Sequence, residues 1–305
     1  MIFSWQFQFF FVPLHHETDN TLNNKLKRRL KMIGYIKALN EIGVSYLGNV
    51  AQSMKMRLSY EHGTMTYCLY LAPWTLSGQH NTCPKGQHCH EFCLNGSGQN
   101  KCDTLARGVE GSKINRSRIK KTNLFYNNRA RFMEILAHEI ETKRARAKRL
   151  GYGFSVRLNG TSDLSPLAFK DPISGKNILE LFPDVQFYDY TKVYNRVKLM
   201  EQYPNYDLTF SYDGYNWDEC ERFLQNGGKV AVVFYSENET LPKQFRGYNV
   251  VDANGYDMRY IDPKGSIMGL HYHKTANDYK SGKFMKPNTP FVIDLDSEID
   301  VVWGF

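Results

Sequence analysis

From residue 63 onward the chain alternates between short apolar runs and segments with helical spacing. "GTMTYCLYLAPW" (63–74) is rich in β-branched and aromatic residues and ends at a Pro, as a buried strand does. In "NLFYNNRARFMEILAHEIETKRARAKRLG" (123–151), Phe132, Ile135, Leu136 and Ile140 recur at helical intervals, basic residues fill the last turns and Gly151 stops the run. One long helix is predicted there. "GFSVRL" predicts a strand broken at Asn159 and Gly160, "NILELFP" a short helix closed by Pro183, and "VQFYDYTK" a strand followed by a short helix in "VYNRVKLMEQYP". "YDLTFSYDG" and "KVAVVFYSE" predict strands on either side of a helix in "WDECERFLQNGG", with Gly227 supplying its cap. "YNVVDAN", "MRYIDPKGSIMGLHYHK" and "PFVIDLDS" are strand-like with little helix between them.

Strands that alternate with helices predict a parallel sheet with crossover connections. At least five such strands lie between residues 63 and 237. The expected fold class is therefore α/β: a complete or partial β/α (TIM-like) barrel with a strand-rich carboxyl-terminal part, built as a single domain over residues 32–305. In that architecture ligands gather on the loops after the carboxyl ends of the strands. The first residues, "MIFSWQFQFFFVPLHH", have no basic residue ahead of the apolar stretch, no small-residue cleavage site and too few apolar positions to span a bilayer. Residues 1–31 are expected to be a disordered extension, or to precede a true start at Met32. No membrane association and a cytoplasmic location are expected.

Composition adds a core and a charge. A 305-residue chain with 42% apolar residues has ample material for a buried interior. Its net charge of +8 favours anionic partners, nucleic acid among them, without bearing on fold. Much of the excess lies in "KLKRRLK" (25–31) and "KRARAKR" (143–149), each read first as a solvated helix face.

The candidate chemistry is concentrated in "LAPWTLSGQHNTCPKGQHCHEFCLNGSGQNKC" (71–102), a loop-like segment after the first strand that holds four of six cysteines. Disulfides are rare in a reducing compartment, so clustered thiols point to metal or redox chemistry. Cys83, Cys89 and Cys93 are spaced C-x5-C-x3-C, without the C-x2-C pair of structural zinc knuckles. An iron–sulfur cluster accepts such wider spacing because each thiolate binds a different iron. Three thiolates leave one iron free for a ligand, whereas Cys102 as a fourth would close the cluster. Zinc is the alternative, with His80, His88 and His90 as substitute ligands, although each histidine reads first as a surface loop residue. Cys68 and Cys220 fall in strand and helix patterns and are expected in the core.

Several segments, in order and at similar intervals, resemble the bacteriophage and plasmid gene-product-88 family: "LAPWTLSGQHNTCPKGQHCHEFCLN", "INRSRIKKTNLFY", "VRLNGTSDLS", "LFPDVQFYDYTK", "YDLTFS", "KVAVVF" and "VVDANGYDMRYIDPKGSIMGL". The resemblance runs from about Leu69 to Leu270. It implies a phage- or plasmid-type protein and leaves the reaction open. The family in turn looks like an outlying branch of the radical S-adenosylmethionine proteins, with a cysteine trio after the first strand and a polar, Gly-containing turn after the second. That likeness implies S-adenosylmethionine as a cofactor. The C-x3-C-x2-C of the main radical enzymes and a methionine-binding glycine motif are absent here.

In "RLNGTSDLS", Asn159, Thr161, Ser162 and Asp163 set hydrogen-bonding groups at a strand end, where a barrel places a cofactor or substrate. The competing reading is an Asx-type turn. In "FYDYTK", Tyr188, Tyr190 and Lys192 share one strand face and Asp189 the other. An inward Lys192 would hold a carboxylate or phosphate, an outward one would be solvated. Ser211 in "FSYDG" is a further rim candidate. His271 and His273 could chelate across "HYH" but read first as exposed strand residues. There is no phosphate-cradling loop, no G-x-G-x-x-G and no serine-hydrolase elbow. The expected function is an iron–sulfur barrel enzyme of radical or redox type acting on an unknown substrate. The alternative is a nucleic-acid-associated protein with a structural zinc site.

Overall fold

The computed structural model describes residues 45–48, 53–90, 92–274, 289–297 and 301–303. Residues 1–31, read above as an extension, lie outside them, as does the 25–31 basic run. The chain runs α1 (Met54–Glu61), β1 (Thr64–Cys68), α2 (Gly98–Gly111), α3 (Lys113–Asn127), α4 (Arg129–Leu150), β2 (Gly153–Arg157), α5 (Ile178–Leu181), β3 (Gln186–Thr191), α6 (Leu199–Gln202), β4 (Tyr206–Ser211), α7 (Trp217–Gln225) and β5 (Lys229–Tyr235). It then becomes strand-rich, with β6 (Gln244–Phe245), β7 (Tyr248–Asp252), β8 (Ile267–His271), β9 (Val292–Asp294) and β10 (Val301–Val302).

These strands form one ten-stranded sheet in a mixed α/β fold, ordered β1-β2-β3-β4-β5-β8-β7-β6-β10. Strands β1 to β5 and β8 are parallel and only the β6 pairings are antiparallel. Among the described residues no pairing joins β1 to β10, so the path is not closed. Strand β9 also pairs with β5, at Val233 to Tyr235, on the edge that β4 occupies at Lys229 to Ala231.

Each helix boundary has a local cause. Asn128 breaks the long helical pattern predicted over 123–151 into α3 and α4: its side chain accepts from Arg131 N, which starts α4 afresh. Gly151 ends α4 in the left-handed conformation, and Lys148 and Arg149 sit in the last turn, where the helix dipole favours cations. Short α5 is held by a capping box between Asn177 and Glu180.

The two faces of the sheet differ. Met65, Tyr67, Val156, Leu158, Phe187, Leu208, Phe210, Val230, Val232 and Phe234 lie in the apolar core against Phe132, Ile135, Leu136 and Ile140 of α4 and Phe223 and Leu224 of α7. The intervening residues, which point the opposite way, are Thr66 and Cys68, Ser155 and Arg157, Tyr188 and Tyr190, Thr209 and Ser211, and Lys229. Strands covered on both faces in parallel sheets usually read as continuous apolar runs. Here the second face is buried yet polar, with Thr66 and Ser155 hydroxyls bonded at 3.0 Å. It is covered by α1 and by the segment that follows β7: Asp257 N donates to Ser59 Oγ at 3.1 Å, and Lys55 Nζ to Ala253 O at 2.8 Å.

Candidate site on the carboxyl edge of the sheet

After β1 the chain continues pairing for one residue, Leu69 N donating to Arg157 O, and is then clamped from two sides. Thr161 Oγ1 donates to Leu71 O at 2.6 Å, and Ala72 N to Thr122 Oγ1 of α3 at 2.8 Å. Trp74 adopts a left-handed φ of 49° and its N–H donates to Cys83 Sγ at 3.4 Å. A succession of turns follows, with Gly86 N on Cys83 O, Cys89 N on Gly86 O and Phe92 N on Cys89 O. Gly86 suits the close approach there, because a Cβ would stand 3.0 Å from Cys83 Cβ and 3.1 Å from the Trp74 ring. Asn95 N then donates to Cys93 Sγ at 3.4 Å.

This loop lies across the carboxyl ends of the parallel strands. Asp163 N, after β2, donates to Thr82 O, and Cys83 Sγ is 3.9 Å from Thr161 O. The His88 ring meets Tyr215 after β4 at 4.5 Å, and Phe92 packs on Tyr272 after β8 and on Phe291 before β9. Lys192, after β3, lies over the same Phe291 ring at 5.2 Å. The other loop histidines also stack, His80 on Tyr126 and His90 on Trp74.

Cys83, Cys89 and Cys93 are all partly exposed. Burial pushes the Cys93 thiol up to about 12, and the neighbouring thiols Cys89 and Cys83 add to it. Burial likewise raises Cys83, with Cys89 and Asp163 contributing. Cys102 is exposed on α2, and Cys68 and Cys220 are buried. Among the described residues, no three His, Cys, Asp or Glu side chains are grouped to hold a single metal ion.

The turn after β2 is tied to β3. Asn159 N and Nδ2 donate to Asp189 at 2.7 and 3.0 Å, while Asn159 Oδ1 accepts from Ser162 Oγ and Leu164 N, each at 2.8 Å. Asp163 accepts from Thr191 Oγ1, from Lys192 N and from Arg196. Gly160 passes so close to β1 that a Cβ would be 2.6 Å from Cys68 Sγ and 2.5 Å from the Tyr70 ring. Asp189 is fully buried; burial raises its carboxyl to about 7 against the pull of Asn159 and Arg157. Ser211 is buried at the end of β4 and its carbonyl accepts from Asn216.

The gene product 88 family model matches residues 23–286, most of the chain. The chain belongs to the gene product 88 family. No curated protein and no solved structure matches it.

In this gene product 88 protein the most densely charged part of the interior is one that the sequence reading passed over. On the polar face of the sheet, Arg157 Nη1 lies 3.3 Å from both Asp257 oxygens, and Tyr188 Oη donates to Asp257 at 2.9 Å. Arg157 also stacks on Tyr190 at 4.5 Å. Arg259 is 1% exposed and pairs with Asp262 at 3.1 Å, while Lys229 Nζ donates to Asp207 and to Arg259 O. The signal available in sequence was a period of two in polar residues, T-x-T-x-C, S-x-R, Y-x-Y and D-x-T-x-S, recurring in successive strands. Beyond the end of β8, His273 is exposed, and its imidazole is pushed down by desolvation first and then by Lys55 and His271. The 143–149 basic run lies on α4, where Lys143 donates to Gly48 O and Arg144 pairs with Asp184 at 2.6 Å. No helix among the described residues is long and apolar enough to cross a membrane.

Proposed function

We propose that this protein holds an iron–sulfur cluster on Cys83, Cys89 and Cys93, over the carboxyl edge of a partial β/α barrel, and uses it in redox or radical chemistry on a small substrate. The observation that carries this reading is that one loop bearing three thiols lies across the carboxyl ends of the parallel strands. The donor set fits. Burial favours the protonated form of Cys83 and Cys93, and a bound cationic centre reverses that preference by stabilising thiolate. Two of the three sulfurs already accept backbone N–H groups, the contacts that stabilise cluster thiolates and set their potential. Ligands on separate irons need not converge on one point, so this reading does not require a single-ion group, and none is present among the described residues.

S-adenosylmethionine is the cofactor that the resemblance implies for radical chemistry. The turn of Asn159, Thr161, Ser162 and Asp163 adjoins Cys83 and is the first candidate to border it, with Lys192 and Ser211 further round the rim. Such a cofactor would supply a radical initiator; the turn's part is to present the Thr161 carbonyl side to the thiol loop.

The test is iron and acid-labile sulfide analysis of protein purified without oxygen, with visible absorption before and after dithionite. Iron and sulfide in comparable amounts, lost in Cys83→Ser, Cys89→Ser or Cys93→Ser and kept in Cys102→Ser, are expected. Stoichiometric zinc without iron, or no metal at all in a folded sample, overturns the proposal and, for zinc, directs attention to a structural site.

A further inference from the structure

Helix α3 carries two cations on the same side three residues apart, Lys121, which is buried, and Arg118, which is partly exposed. Lys121 is 4% exposed and has no hydrogen-bond or ion-pair partner among the described residues. The carboxylate that acts on it is Glu139, but the Glu139 oxygens already accept from Ser45 Oγ, Tyr46 N and Leu47 N and face Lys143 at 3.8 Å. Arg118 has no carboxylate partner among the described residues either: the groups acting on it are Tyr70, Cys93 and Cys68. A buried charge without a counter-charge is costly, so Lys121, with the Arg118 guanidinium one turn away, calls for an anion.

The surroundings hold the pair in place. Arg118 donates to Asn95 Oδ1 and stacks over Tyr70 at 5.0 Å. Asn95 in turn donates to Asn115 Oδ1, which also accepts from Asn100 at 2.9 Å. Ser112 Oγ closes this network by donating to Asn100 Oδ1 and accepting from Asn115 N. Arg118 is thus fixed by neutral amides, which orient its guanidinium without neutralising it.

We propose that Arg118 and Lys121 bind the oxyanion group, carboxylate or phosphate, of a small-molecule ligand beside the cysteine loop. The burial of Lys121 keeps it from the backbone of a nucleic acid, which needs surface cations. Burial also pushes the Lys121 ammonium down to about 8, with Arg118 adding to it; an oxyanion would restore it.

The experiment is calorimetric titration of the full chain with inorganic phosphate and, separately, with acetate at matched ionic strength. It is run on protein as purified without oxygen and on chelator-treated protein, so that its outcome is read independently of the metal assignment. Saturable binding of one of the two anions is expected, identifying its class, and Lys121→Met should weaken it by roughly tenfold or more. Should that variant fail to fold, acylation of Lys121 in the parent protein by acetic anhydride, followed by mass spectrometry, gives a second reading: the bound oxyanion slows labelling at Lys121 and chloride does not. Saturable binding of neither anion in either preparation, an unchanged affinity in folded Lys121→Met, or labelling indifferent to the anions overturns the proposal.

Discussion

Replacing Asp189 by Asn removes one ionisable group from the junction between β3 and the turn after β2 while keeping its size. In the unfolded chain the carboxyl titrates near 3.8, whereas in the folded protein burial holds its proton up to about 7. Between those values the native state binds more protons than the unfolded one, so the group's contribution to stability is fully present below 3.8 and is lost as pH rises through 7. The separation of about three pKa units corresponds to about 4 kcal/mol across the whole window. Between about pH 5 and about pH 8, roughly 2–3 kcal/mol of it is accessible. A carboxamide at this position cannot titrate, so the variant lacks this slope, although it starts from a different stability because its amide must face the Asn159 amide. Urea unfolding followed by circular dichroism at several pH values gives the difference, wild type minus Asp189→Asn, directly, and other carboxylates cancel from it. The difference should fall with rising pH by the stated amount. A difference that stays flat or grows would show that the Asn159 donors, and not burial, govern this carboxyl.

Two further perturbations probe the polar face and its approach to the site. Asp257→Ala strips Arg157 and Tyr188 of their shared acceptor and should cost about 3–5 kcal/mol in denaturant unfolding, with part recovered in the Arg157→Met, Asp257→Ala double variant; equal stabilities of single variant and wild type would contradict a buried pair. Gly160→Ala puts a methyl group 2.5 Å from the Tyr70 ring and should lower stability by about 1–3 kcal/mol, read as a drop in Tm; an unchanged Tm would mean that the β1 exit and this turn are not in contact.

The succession of strands and helices along the chain was legible because the determinants are local. Apolar runs such as "KVAVVFY" sit between clear breakers, and Gly151 and Pro183 mark the ends of the helices before them. On β3 the period of two correctly separates Tyr188 and Tyr190 from Asp189: the tyrosines meet Arg157 and Asp257, and the aspartate meets Asn159. The break at Asn128 was hidden because apolar positions keep helical spacing across it, and only the capping bond to Arg131 N reveals a restart. The start of "MRYIDPKGSIMGLHYHK", residues 258–262, was read as strand-like, yet it folds as a short turn that follows the buried Asp257 and delivers Arg259 into the interior. Its partners Ser59 and Tyr188 are 198 and 69 residues away, a distance at which no pattern in a window of sequence can report the pairing. Lys121 was overlooked for a related reason: a lysine in a helix reads as solvated until the neighbouring elements are seen to enclose it.

The placement of β9 has a consequence for biogenesis. Because Val292 to Asp294 dock on the last residues of β5, and Phe291 supplies a ring for Phe92 and Lys192, the rim around the thiols is assembled from the earliest and the latest parts of the domain. A nascent chain that has emerged only as far as residue 274 already contains every cysteine, yet lacks this wedge. Until residues 291–294 have emerged and docked, the thiol loop therefore lies beside an incompletely walled edge of the sheet.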